Sequence, residues 1–198
     1  LLGFVVAVLL ALALQVAFYM TRIAIGSRIS PLKLFTGGRE ALLTAFSTSS
    51  SSVTMPLTYD CLRDEKRIGL KEENARLGAL VGANFNNDGT ALYEAMAPLF
   101  VAQALAVTGA GVALGFGQQL VVAFMAVIAS VGAAGIPEAG LVTMLLVFRS
   151  VNLPTEFVLL LLPVDWFLDR CRTMVNVLGD MTVGCLLEGK TAPAESVS

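Results

Sequence analysis

The chain has 198 residues, of which 56% are hydrophobic and 14% charged; its formal net charge is −2 and it contains no histidine. Soluble domains carry roughly 25% charged residues, so this chain lacks the polar surface of a water-soluble globule, and no basic stripe offers a footing for nucleic acid. Without histidine there is no usual general base, no commonest metal ligand and no serine–histidine triad, which argues against an enzyme.

The charges that exist are clustered. Residues 1–21 contain none, and the 43 residues from Ala95 to Pro137 contain none. About 20 apolar residues span a bilayer as a helix, so the expected fold class is all-α integral membrane. Residues 1–25 are the first expected transmembrane helix. The chain begins with Leu1 inside that apolar run, with no basic leader, and reads as a fragment of a longer protein, not as a signal peptide. Residues 31–59 follow as a hairpin too short to cross twice, ending in the serine run Ser49 to Ser52 before Thr54 and Pro56. Residues 60–76 are a charged connector. Residues 77–107 form a long apolar segment interrupted by Asn84-Phe-Asn-Asn-Asp-Gly-Thr90. Gly109, Gly111, Gly115 and Gly117 mark the next turn. Residues 118–150 make a second hairpin broken at 132–140, residues 157–188 a last transmembrane helix, and residues 190–198 a small polar tail expected to be disordered. Cys61, Cys171 and Cys185 are an odd, widely spaced set and read as free thiols.

Segments 22–40 and 60–76 hold nine Lys and Arg residues, which places them and the C-terminus on the cytoplasmic side of a plasma or inner membrane. The hairpin at 31–59 then leaves and re-enters on that side, and the one at 118–150 enters from the opposite side. Two opposed re-entrant hairpins plus a broken helix suit a solute site near the bilayer midplane, because irregular backbone at that depth must line a protein-buried cavity.

The last helix carries the sharpest chemical pattern. Asp165, Asp169, Arg172, Asn176 and Asp180 are spaced 4, 3, 4 and 4 and fall within about 80° of helical arc. Ionisable groups at membrane depth face cavities or one another, so the stripe is either a binding wall or a structural ion-pair ladder. Its surplus of acids favours cation binding. Arg170 lies off the stripe and needs another neighbour. In Asn86-Asn87-Asp88-Gly89-Thr90, an unwound turn would offer carbonyls and the Asp88 carboxylate to a small cation; outside a bilayer the same residues are an ordinary turn. Glu94 follows Thr90 by four residues on one face and is a candidate proton site. The serine run is a linker by composition alone; at a hairpin tip its hydroxyls and free amides suit a carboxylate. The 132–140 segment, with Gly135, Pro137 and Gly140, is either a mobile gate or a kinked loop.

These pieces together resemble the dicarboxylate/amino acid:cation symporter family, which includes the glutamate transporters. The matching stretches are SSSSVTMP (49–56), NNDGTALYEA (86–95), SVGAAGIPEAGLVTM (130–144) and VDWFLDRCRTMVNVLGD (164–180). The resemblance implies the C-terminal, transport-domain half of that fold, without the scaffold helices that build a homotrimer. It implies that Asp169 binds a substrate ammonium and Arg172 a side-chain carboxylate, with Thr90, Thr173 and Asn176 completing the pocket. Ser50, Ser51, Ser52, Gly135, Ile136 and Gly140 would enclose the main carboxylate. For sodium it implies Asp180 with carbonyls of Gly82, Asn86 and Asn176 at one site, Asp88 with Asn86 at a second, and backbone of Asn84, Ser130, Val131 and Ala133 at a third. Glu94 holds the position tied to proton or potassium coupling. Arg170 and Ser49 match the animal-type glutamate transporters. Asn87 departs from the family pattern, which has methionine there, and puts the third sodium site in question. The implied function is a secondary-active, sodium-coupled symporter for acidic amino acids or dicarboxylates, embedded in lipid and using no organic cofactor. Its rivals are a neutral amino acid carrier or exchanger, a proton-coupled dicarboxylate carrier, a channel, and a scaffold subunit without ligand.

Overall fold

The computed structural model describes residues 1–111, 113–133 and 135–190, so the tail expected to be disordered lies outside the described residues beyond Lys190. Among the described residues all regular structure is helical. Helix α1 (Leu2–Gly26) is followed by α2 (Pro31–Thr48) and α3 (Ser51–Arg63). Ser30 caps α2 by accepting the Lys33 N–H at 3.1 Å, with Pro31 pre-set at the first helical position. Only Ser49 and Ser50 separate α2 from α3. Ser49 ends α2 in the left-handed region (φ 52°), and the Ser50 hydroxyl oxygen accepts the Val53 N–H at 3.2 Å to start α3. The serine run is therefore a tight helical turn at the N-terminus of α3, with the Ser52 N–H donating across to the Gly135 carbonyl oxygen.

After the connector, α4 (Glu72–Arg76) passes through a π-helical turn (Leu77–Val81) into α5 (Gly82–Phe85). The chain then leaves helical geometry at Asn86 (φ −99°, ψ 71°) and Asn87 (φ −102°, ψ 46°) before α6 (Asp88–Val107) resumes. Helices α7 (Phe116–Gly132) and α8 (Ala139–Ser150) form the next hairpin, and a 3-10 turn (Thr155–Leu160) leads into α9 (Leu162–Glu188). The helix expected from residue 157 thus begins as a tighter turn, with Pro163 at its α-helical start.

Helix α9 is the central element. It packs against α1, α2, α3, α6 and the π-turn, and is buried almost all round from Leu168 to Cys185. Small residues make this possible: a Cβ on Gly78 of the π-turn would lie 2.9 Å from the Asp180 carbonyl oxygen and 2.9 Å from the Gly184 Cα. The main core joins α1, α2, α6 and α9 through Phe4, Ile23, Leu34, Tyr93, Leu168 and Met181. A smaller cluster, Val122, Ala126, Ala129, Val147 and Val151, closes α7 on α8. Two helical runs, Leu2–Gly26 and Glu72–Val107, are apolar and long enough to cross a membrane. At 27 residues α9 is about 40 Å long, but its polar stripe lowers its hydropathy below theirs.

The end of α9 is tied down by Glu188, whose side chain is 1% exposed. Its carboxylate accepts from Arg28 (3.2 Å), the Lys71 N–H (3.1 Å) and the Asn74 amide (2.6 Å), joining the α1–α2 corner, the connector and α4. Glu188→Leu strands these donors and should cost about 2 kcal/mol of stability, read as a lowered thermal midpoint, whereas Glu188→Gln, which keeps an acceptor oxygen, should lose about half as much.

Candidate functional site

The two hairpin tips, the break between α5 and α6, and the middle of α9 converge on one small cavity of ≈ 20 Å³. Ser49, Ser51, Asn87, Thr90, Gly135 and Thr173 are among the residues that line it, with Asp169 and Asn176 on the α9 side. About one water fits such a volume; an amino acid does not. The reason is direct contact between the tips. The Ser52 N–H donates to the Gly135 carbonyl oxygen at 3.2 Å, and the Ser50 hydroxyl donates to the same oxygen. Gly135 has no space for a side chain: a Cβ would sit 2.5 Å from both the Ser51 and Ser52 hydroxyls.

Arg172 lies beneath this cavity, fully buried. Its Nη2 donates to Asp165 at 2.9 Å and Asp169 at 2.8 Å, and its guanidinium stacks 3.9 Å above the centroid of the Tyr93 ring. Its Nε and Nη1 have no hydrogen-bond partner among the described residues. A Cβ on Gly140 would lie 3.3 Å from Nη1, so Nη1 lies close to the backbone of the 132–140 segment. The second Asp169 oxygen accepts the Glu138 N–H at 3.1 Å. Glu138 itself adopts the left-handed region (φ 63°), a strained conformation for a non-glycine residue. The ion-pair ladder is present in part: Asp165 and Asp169 are paired with Arg172, while Asp180 has no salt bridge among the described residues.

Asn176 organises the α6 side. Its side-chain oxygen accepts the Gly89 N–H at 2.7 Å and its amide donates to the Thr90 hydroxyl oxygen at 3.0 Å. Thr173 donates to the Asp169 carbonyl at 2.8 Å. Ile136 and Val131 are exposed, with Ile136 at the tip and Val131 at the end of α7. Arg170 finds its separate neighbours in Ser49, to whose hydroxyl it donates at 3.0 Å, and the Trp166 ring 4.6 Å away. Glu94 is buried, accepts the Thr143 hydroxyl and leaves its second oxygen without a partner among the described residues.

Three places bear on cations. Asp180 is 1% exposed and accepts from the Asn86 amide at 3.1 Å, with Gly82 packed against the carboxylate. A buried carboxylate with one neutral donor and no cationic side chain is costly, and these residues fit a small cation. Asp88 is gripped from α1, where Tyr19 donates to Oδ2 at 2.6 Å and Gln15 at 3.1 Å. Neither was singled out from the sequence; the signal was there, since they are polar-headed residues, four apart, in the otherwise apolar run that precedes Thr21 and Arg22. The third place, around Ser130 and Ala133, does not fit. The Ser130 carbonyl already accepts the Asn87 amide at 3.0 Å and the Ala133 N–H at 3.2 Å.

A model of the Sodium:dicarboxylate symporter family matches residues 1–190. The chain is 49% identical over 159 residues to excitatory amino acid transporter 4 of Mus musculus, an alignment covering 80% of this chain and 27% of that protein. It is 49% identical over 154 residues to excitatory amino acid transporter 1 of Homo sapiens, covering 78% and 27%. Against excitatory amino acid transporter 2 of Homo sapiens the identity is 45% over 184 residues, covering 85% and 31%. The chain spans less than a third of the length of each of these relatives.

Proposed function

From the premise that this chain belongs to the Sodium:dicarboxylate symporter family, whose members are multi-pass membrane carriers and not enzymes, we propose that it forms the substrate- and cation-binding part of a sodium-coupled carrier of acidic amino acids. The observation that carries this is Arg172: a buried guanidinium whose Nε and Nη1 have no partner among the described residues, beside an aspartate pair and close to the 132–140 segment. A stranded buried donor is costly. A second carboxylate on the ligand takes it with charge-assisted geometry, while Asp169 takes the ammonium and the amides of the serine tip take the α-carboxylate.

Because the ≈ 20 Å³ cavity is closed by tip-to-tip bonds, substrate entry requires the 132–140 segment to swing away from Ser50 and Ser52. Alternating access then needs the binding part to move against a scaffold, in a homotrimer, as one body. Asp180 with carbonyls of Gly82, Asn86 and Asn176 would hold one sodium, and Asp88 with Asn86 another. Glu94 is the residue on which proton or potassium coupling would rest, since its second oxygen is free to exchange a proton or meet a cation.

Uptake by the intact protein in plasma-membrane-like liposomes tests the reading. An inward sodium gradient should drive saturable uptake of labelled L-aspartate or L-glutamate, and unlabelled acid outside should exchange with labelled acid inside. Uptake of L-serine in preference to acids would make it a neutral amino acid carrier, uptake of succinate driven by a pH gradient a proton-coupled dicarboxylate carrier, and current without exchange a channel.

A further inference from the structure

The Asn87 carboxamide bridges three elements at the break before α6. Its Nδ2 donates to the Ser130 carbonyl at the end of α7 (3.0 Å), and its Oδ1 accepts from Nδ2 of Asn176 on α9 (3.4 Å). The two ends of the amide are fixed by a backbone donor. The Gly89 N–H can only donate, and it meets Asn176 Oδ1 at 2.7 Å; Asn176 therefore turns its Nδ2 toward Thr90 and Asn87. Asn87 must answer with oxygen, which leaves its N–H for Ser130. Reversing it would set two oxygens face to face at Ser130.

The Ser130 carbonyl also accepts the Ala133 N–H at 3.2 Å, so both its lone pairs are taken by N–H donors. It lies in the last turn of α7 (Phe116–Gly132), where the helix dipole concentrates negative charge and favours a cation. The buried amide N–H of Asn87 supplies positive charge at that point. This is why the residues at the third cation position do not fit one.

We propose that Asn87 takes the place of a bound cation at the end of α7, pinning the root of the 132–140 segment to α6 and α9 with an amide N–H, so that this chain couples through one cation fewer than a chain with no donor there. The proposal rests on the sodium-coupled reading above and deepens it. Asn87→Asp removes the donor and supplies an oxygen ligand beside the freed carbonyl; Asn87→Met removes the donor without adding charge.

The test is sodium titration of the intact, detergent-purified protein, read as thermal midpoint without substrate and as L-aspartate affinity. In the aspartate variant, and in the methionine variant should the charge prevent folding, the slope of log affinity against log sodium should rise by about one, so that tenfold more sodium tightens binding about tenfold more than in the wild type. Sodium should also stabilise the variant without substrate more steeply. Equal slopes in wild type and variants, with sodium-linked binding in all, overturn the proposal and leave the carrier reading intact. A wild type blind to acidic ligands, with variants that gain sodium stabilisation, overturns the carrier reading and leaves the proposal intact.

Discussion

Replacing Arg172 with alanine is expected to abolish acidic-substrate binding and to cost about 3–5 kcal/mol of stability, the largest effect of any single change in the chain. The two consequences have separate causes. Stability falls because Asp165 and Asp169, now paired at 2.9 and 2.8 Å, are left buried without a counter-charge. Binding falls because Nε and Nη1 disappear. Arg172→Lys separates them. A lysine keeps one positive charge for the aspartates but not the planar fork, and cannot stack its face on Tyr93. Its thermal midpoint without ligand should recover much of the loss, while affinity for L-aspartate should remain about 100-fold down, the worth of charged hydrogen bonds of about 1.5–3 kcal/mol. Equal recovery of both would assign Arg172 a purely structural role.

Gly135→Ala comes second. A methyl there would meet the hydroxyls of Ser51 and Ser52 at 2.5 Å and the Ser52 nitrogen at 3.0 Å, so the tips cannot close as they do now. Overpacking of this kind costs about 1–3 kcal/mol. Because that cost falls on the tip-to-tip closed state, in which no amino acid fits, it should appear as a lowered thermal midpoint of the ligand-free protein, with affinity for L-aspartate unchanged or tighter. Gly132→Ala is the control: it is also in the hairpin, but a Cβ there meets nothing within 4 Å among the described residues, and the midpoint should be unchanged. If both alanines behave alike, the effect is on helix α7 or its backbone freedom and not on contact between the tips.

What was legible in the sequence is what local spacing encodes. The polar stripe of α9, the break at Asn86-Asn87 and the caps of the serine run all follow from residues within a few turns of one another. The positions that escaped depend on partners far along the chain. Gln15 and Tyr19 matter because α1 folds back on Asp88, 73 and 69 residues away. Glu188 matters because Arg28, Lys71 and Asn74, each more than 100 residues away, close around it. The π-turn at Leu77–Val81 and the left-handed Glu138 had no compositional mark: the first is imposed by close packing of Gly78 on α9, and the second by the Asp169 carboxylate that accepts its N–H. Asn87 stood out only as a departure from a pattern. Its meaning needed the Ser130 carbonyl, which is 43 residues away.

The most direct measurement is the thermal midpoint of the purified protein with L-aspartate, L-glutamate, succinate and L-serine, each with sodium and with choline in its place. Ligand that binds the folded state alone raises the midpoint in step with its affinity, by about 2.7 kcal/mol of stability at 100 times its Kd. The arrangement of Arg172, Asp169 and Asp180 predicts stabilisation by the acidic amino acids in sodium and none in choline. Stabilisation by L-serine over L-aspartate, or equal stabilisation in sodium and choline, would contradict it.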